Sequence, residues 1–102
     1  MNVFVIDHHD ESANYIAQTV SSLGLVPKTI KSMAELVIAL QQDIPRLIIA
    51  EALMPGYDDF IALQHVKEQE KLRQIPVIIT TSRAKRDDIL KARQLGARGF
   101  LI

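Results

Sequence analysis

A chain of 102 residues has room for one domain around one core, and its 48% apolar and 24% charged composition excludes a disordered segment. A formal net charge of zero gives no bulk pull toward nucleic acid, no apolar run is long enough to cross a membrane, and with no cysteine there is no disulfide or thiol chemistry. The charge is unevenly spread: residues 1–64 hold eight acids and three bases, residues 65–102 four acids and nine bases, which gives each half a sign for meeting a partner or simply solvated helix faces.

Val3–Ile6 is a short apolar run, partly β-branched, and reads as a buried strand. Asp7, His8, His9, Asp10 and Glu11 follow without a break, and Asp10 stands where it would cap a helix starting near Ser12. That helix would turn Ile16, Val20 and Leu23 inward, with Ala13 and Ala17 allowing close approach to the sheet. Gly24 would stop it in a left-handed C′ conformation. Val26–Ile30 contains Pro27, whose missing N–H suits an edge strand. Ser32 and Glu35 have the spacing of a capping box and open a helix with Leu36, Val37 and Leu40 inward.

Leu47–Ala50 is a continuous apolar run, the pattern of a strand buried on both faces, and it ends at Glu51. Pro55 and Gly56 turn the chain, and Asp58 and Asp59 sit where the next helix starts. That helix carries Phe60, Leu63 and Val66 and becomes polar through Lys67–Gln74. Val77–Thr80 is a further strand, ended by Thr81 and Ser82. Residues 85–95 form a helix with Ile89, Ala92 and Leu95 on one stripe and Gly96 as its stop. Gly99 and Phe100–Ile102 begin a fifth strand.

Strand–helix thus recurs four times before a last strand. Connections of this size between buried strands imply parallel, right-handed crossovers, hence an α/β, doubly wound, parallel five-stranded sheet. Four helices cannot clothe both faces, so part of one face near the last strand is expected to be bare. A partner chain, a rearranged helix or a further segment would cover it.

A parallel sheet delivers every strand's C-terminal end to one rim. Asp7, Glu51 and Thr81 would meet there, with His8, His9, Asp10 and Ser82 nearby. Two readings of the acids stand side by side: a seat for a hard dication such as Mg²⁺, or carboxylates that merely accept loop N–H groups. Adjacent histidines in a loop are expected to point apart, and no third ligand has zinc spacing, so a zinc site is not expected. His65 falls on a helix, at the surface or its boundary. No nucleophile elbow, Gly-x-Gly-x-x-Gly or Walker loop is present.

The segments FVID, LIIAEALMPGYDDF, IPVIITTS and LGARGFLI, in this order and over the whole length, make the chain resemble the receiver domain of bacterial response regulators. The resemblance implies a flavodoxin-like sheet of order 2-1-3-4-5 with the fifth helix missing, and residues 1–102 as the N-terminal part of a longer protein. It also implies a phosphoacceptor aspartate ending strand three, Mg²⁺ held by that aspartate and an acidic pair after strand one, and a Thr/Ser and an aromatic that couple the site to the outer surface. Here the phosphoacceptor position is Glu51 and the acidic pair is reduced to Asp7 and His8, with His9 and Asp10 beside them. The switch positions are Thr81, Ser82 and Phe100, and the lysine position would follow Ile102. Phe100 would either rotate between inward and outward states or stay packed in the core.

Glutamate carries its carboxylate about 1.5 Å further than aspartate from the same backbone. A misplacement of about 1 Å can cost on the order of 100-fold in rate. Histidine in place of an acid removes a hard oxygen ligand. Glu51 would then mimic the phosphorylated state or be a residue left behind once phosphorylation was no longer needed. The reading is a pseudo-receiver, not an enzyme: a phosphorylation-independent signalling and interaction module of the cytoplasm, with no cofactor. It would meet a protein partner or a second copy through helix four and strand five or through the bare face, and would bind neither nucleic acid nor membrane. The alternatives are a degenerate but active receiver that uses Mg²⁺, and a structural domain of a larger protein.

Overall fold

At the centre of the sheet lies β3 (Leu47–Glu51), whose first residue is half-buried and whose other four are buried. The computed structural model describes residues 1–82 and 85–102. In chain order the other elements are β1 (Asn2–Ile6), α1 (Asp10–Ser22), β2 (Val26–Ile30), α2 (Met33–Gln42), α3 (Ile61–Glu68), β4 (Val77–Thr80), α4 (Arg86–Gln94) and β5 (Gly99–Leu101). The five strands are all parallel in the order β2-β1-β3-β4-β5, as the strand–helix alternation implies. β2, with Pro27, is the edge that the missing N–H anticipates.

Side chains alternate across the strands and build two cores of unequal size. On one face Phe4, Ile6, Ile48, Ala50, Val77 and Ile79 pack with Leu36 and Leu40 of α2, Leu63 and Val66 of α3 and Ala92 of α4. On the other, Val3, Val5 and Ile49 pack with Val20 of α1, bordered by Ile16, Leu25 and Leu47. α1 does not reach the far end of this second face. Ile78 of β4 is only half-buried, and Leu101 of β5 is 55% exposed. Among the described residues there are four helices, and this strip is the bare region that four helices leave.

Helix ends follow local chemistry. After α1, Gly24 takes φ 81°, its N–H reaches Ser21 O, and Leu25 N–H reaches Val20 O: a Schellman stop. Gly96 at φ 103° closes α4 the same way, through Arg93 and Ala92 carbonyls. At the start of α2, Ser32 Oγ accepts from Glu35 N at 3.1 Å, and Glu35 Oε2 accepts from Lys31 N at 2.9 Å. The capping box thus reaches back one residue beyond the cap.

Several local expectations are corrected. Asp10 is the first residue of α1, not its cap; His9 holds the cap position without a side-chain bond. Leu23 is 71% exposed because it is the C-cap, where the helical stripe has already ended. Val37 is 38% exposed, and Met33 and Ala39 take the inward places on α2. α3 starts at Ile61, after Phe60 adopts a left-handed conformation at φ 62° and is fully buried. It ends at Glu68 rather than running on to Gln74. Lys67 Nζ donates to the Arg73 and Ile75 carbonyls, both at 2.9 Å, and folds the following turn back so that Leu72 and Ile75 are buried.

Candidate functional site

β1 and β3 are neighbours in register, with Ile6 opposite Ala50. The next residue of each strand, Asp7 and Glu51, therefore emerges side by side at the rim. Both are buried, the only such charged residues among those described. A carboxylate in that setting needs donors. Glu51 finds them on His8: the backbone N–H donates to Oε2, and the ring Nδ1 lies 2.7 Å from the carboxylate. Asp7 finds the N–H of His9, which donates to Oδ1 at 2.8 Å.

The two histidines converge, contrary to the expectation that they point apart. Their rings are 3.8 Å apart, centre to centre, and tilted by 43°. His9 Nδ1 lies 3.4 Å from Asp7 Oδ1 and 3.9 Å from Glu51 Oε1. The chain turns from strand to helix at this pair, with His9 still extended as the cap, and each backbone N–H is held by one of the two carboxylates. Asp7, His8, His9 and Glu51 each offer a donor atom, and these all lie within 4.8 Å of one another. The run Asp-His-His-Asp was the signal in the sequence, but alternation along a strand does not extend through such a turn.

Burial pushes the Glu51 carboxyl above its ordinary value, and the neighbouring Asp7 carboxylate pushes it the same way; the His8 bonds oppose both. Asp10 stands apart from the cluster. It borders the same cleft, but its exposed carboxylate pairs with Lys31, which holds it below the usual carboxylate range.

Thr80, Thr81 and Ser82 line the opposite wall of the cleft. The Thr81 N–H donates to Leu101 O at 3.0 Å and ties the end of β4 to β5. Phe100 is half-buried against the larger core, and with Phe60, Thr81 and Asp88 it lines a small neighbouring cavity. Tyr15, 73% exposed on α1, also borders the main cleft, a position the sequence reading did not single out. His65 is half-buried on α3, within 2.9 Å of Gln69 Nε2 and remote in sequence from the rim.

A parallel 2-1-3-4-5 sheet with carboxylates at the ends of its first and third strands defines a receiver-type signalling domain. Residues 3–102 match the family described as "Response regulator receiver domain", and the chain belongs to it. Membership makes it a regulatory module rather than an enzyme of the usual kind. The chain is 28% identical over 99 residues to the DNA-binding transcriptional regulator NtrC of Escherichia coli (strain K12), covering 97% of this chain and 21% of NtrC. It is 34% identical over 55 residues to the chemotaxis protein CheY of Pseudomonas aeruginosa, covering 54% of this chain and 44% of that one. It thus spans less than half the length of either relative.

Among solved structures, the receiver domain of a signal transduction histidine kinase from Syntrophus aciditrophicus superimposes with a TM-score of 0.84 at 26% identity, over 97% of this chain and 75% of that one. The receiver domain of a DNA-binding response regulator from Colwellia psychrerythraea gives a TM-score of 0.90 at 21% identity, over 99% of this chain and 85% of that one, a likeness of fold.

The magnesium that the receiver family implies does not fit this rim. Mg²⁺ demands oxygen ligands in octahedral geometry. Here two of the four convergent groups are imidazoles, which leaves only two carboxylates as hard oxygen donors.

Proposed function

We propose that this domain is a pseudo-receiver: a signalling and protein-interaction module that works without phosphorylation. The observation that carries the reading is the engagement of Glu51. A phosphoacceptor must present a free carboxylate oxygen to phosphorus beside a bound dication, within tight positional limits. At position 51 the carboxylate is a methylene longer than aspartate, held by the N–H and ring of His8, with an imidazole where a second acid would help seat the cation. Phe100 packs against the core and serves as a fixed part of it, with Thr81 and Ser82 as the wall joining rim to surface.

Its contacts run through α4 and β5 and through the strip at Ile78 and Leu101, taken up by a protein partner or by a second copy. It serves as the N-terminal module of a longer protein; a match to about a fifth of NtrC supports the greater length. It works in the cytoplasm; no helix among the described residues is long and apolar enough to cross a membrane, and cysteine is absent.

Magnesium with beryllofluoride, a phosphoryl mimic, provides the test. The amide signals of Glu51, Thr81 and Phe100 stay in place if the reading holds. Movement of all three together would overturn it.

A further inference from the structure

The rim that fails magnesium has the donor set of another class of ion. We propose that Asp7, His8, His9 and Glu51 form a site for a borderline-soft transition-metal dication, zinc foremost, with two imidazole nitrogens and two carboxylate oxygens as ligands.

Geometry carries the argument. Zinc takes four ligands in a tetrahedron, with N and O donors at about 2.0–2.2 Å, so neighbouring donors stand about 3.3–3.6 Å apart. The distances here bracket that edge: 2.7 Å from His8 Nδ1 to Glu51, 3.4 Å from His9 Nδ1 to Asp7, and 3.9 Å from His9 Nδ1 to Glu51. The four donors all lie within 4.8 Å of one another, so drawing them onto one cation calls for side-chain shifts on the order of 1 Å, and the His9 side chain, 64% exposed, is placed to make them. The His8–Glu51 contact would open as the ion enters: His8 takes the tautomer protonated at Nε2, so that Nδ1 turns a lone pair to the metal beside the Glu51 carboxylate.

Charge and orientation agree with this. Two carboxylates neutralise a dication at a rim where the acids themselves are buried. Each is already oriented by a backbone N–H, His8 for Glu51 and His9 for Asp7, the kind of outer contact that positions metal ligands. Imidazole nitrogens discriminate the ion class: they suit Zn²⁺, Co²⁺, Ni²⁺ and Cu²⁺ and are foreign to Mg²⁺ and Ca²⁺. The bound ion would tie the β1–α1 turn to the end of β3, where a receiver ordinarily gathers magnesium and phosphate.

The test uses the whole chain, freed of metal with a chelator and titrated with Co²⁺. A visible absorption band growing to one equivalent, displaced by Zn²⁺ and untouched by excess Mg²⁺, is the expected result. His8→Ala and His9→Ala should each weaken cobalt binding by more than about tenfold, as loss of a ligand exceeds loss of an outer contact. His65→Ala should leave it unchanged. Circular dichroism confirms that each variant is folded, and the exposed His9 provides the variant least tied to folding.

The proposal is overturned by absence of a band together with absence of a zinc-induced rise in melting temperature. It is overturned equally by binding indifferent to both rim histidines, by binding lost with His65, or by magnesium competing on equal terms. It fails separately from the pseudo-receiver reading, which the beryllofluoride shifts judge without zinc present.

Discussion

The ring of His8 stands 2.7 Å from the carboxylate of Glu51, and the backbone N–H of the same histidine donates to that carboxylate as well. One residue therefore engages, through both backbone and side chain, the carboxylate that ends β3. The two residues are 43 positions apart in sequence and meet because β1 and β3 are adjacent in the sheet.

Restoring oxygen donors should restore the cation of the family. In a chain carrying both His8→Asp and Glu51→Asp, the rim regains three short acids with Asp7. Calorimetric titration with Mg²⁺ should then show binding that the parent chain lacks. Glu51→Asp alone should not suffice, because His8 still contributes nitrogen where oxygen is needed.

The raised carboxyl of Glu51 fixes a pH dependence. Its folded value lies above the ordinary 4.5 because of burial and then Asp7. Such a group favours the fold below its unfolded pKa, and that contribution is lost as pH rises through the folded value. Glu51→Gln keeps the acceptor oxygen without the charge. Its melting temperature should exceed that of the parent at pH 7, and the gap should close as pH falls toward 4.5. A gap that widens on acidification contradicts the sign.

The capping box of α2 has a measurable worth. Ser32→Ala removes the acceptor of the Glu35 N–H and should cost about 1 kcal/mol in urea denaturation at unchanged m-value.

Two helix stops should respond differently to the same change. Gly24→Ala meets no atom within 4 Å and pays only for its left-handed conformation, about 1–2 kcal/mol. At Gly96 a new Cβ would stand 3.3 Å from Lys67 Cε, on the side chain that holds the α3–β4 turn. Gly96→Ala should therefore cost more than Gly24→Ala in the same denaturation experiment.

The sequence carried the sheet well because its central strands are continuous apolar runs and several helix ends have their own chemistry. Gly24, Gly96 and the Ser32–Glu35 pair could be placed without a structure. Short helical stripes were less legible. Leu23 and Val37 fit the helical period by spacing, yet one lies at the cap and the other on the exposed side. The length of α3 depended on Lys67 reaching two carbonyls six and eight residues on, which no periodicity encodes. At the rim, Asp7 and Glu51 could be paired from topology alone. The convergence of His8 and His9 could not, since it is set by a turn in which each backbone N–H answers to a different carboxylate.

The central claim, that position 51 does not accept phosphate, is tested most directly by intact-mass measurement. The chain is incubated with Mg²⁺ and a small-molecule phosphodonor beside an ordinary receiver treated alike. The account predicts a phosphate increment on the control and none on this chain. An increment on this chain that disappears with Glu51→Gln would contradict it.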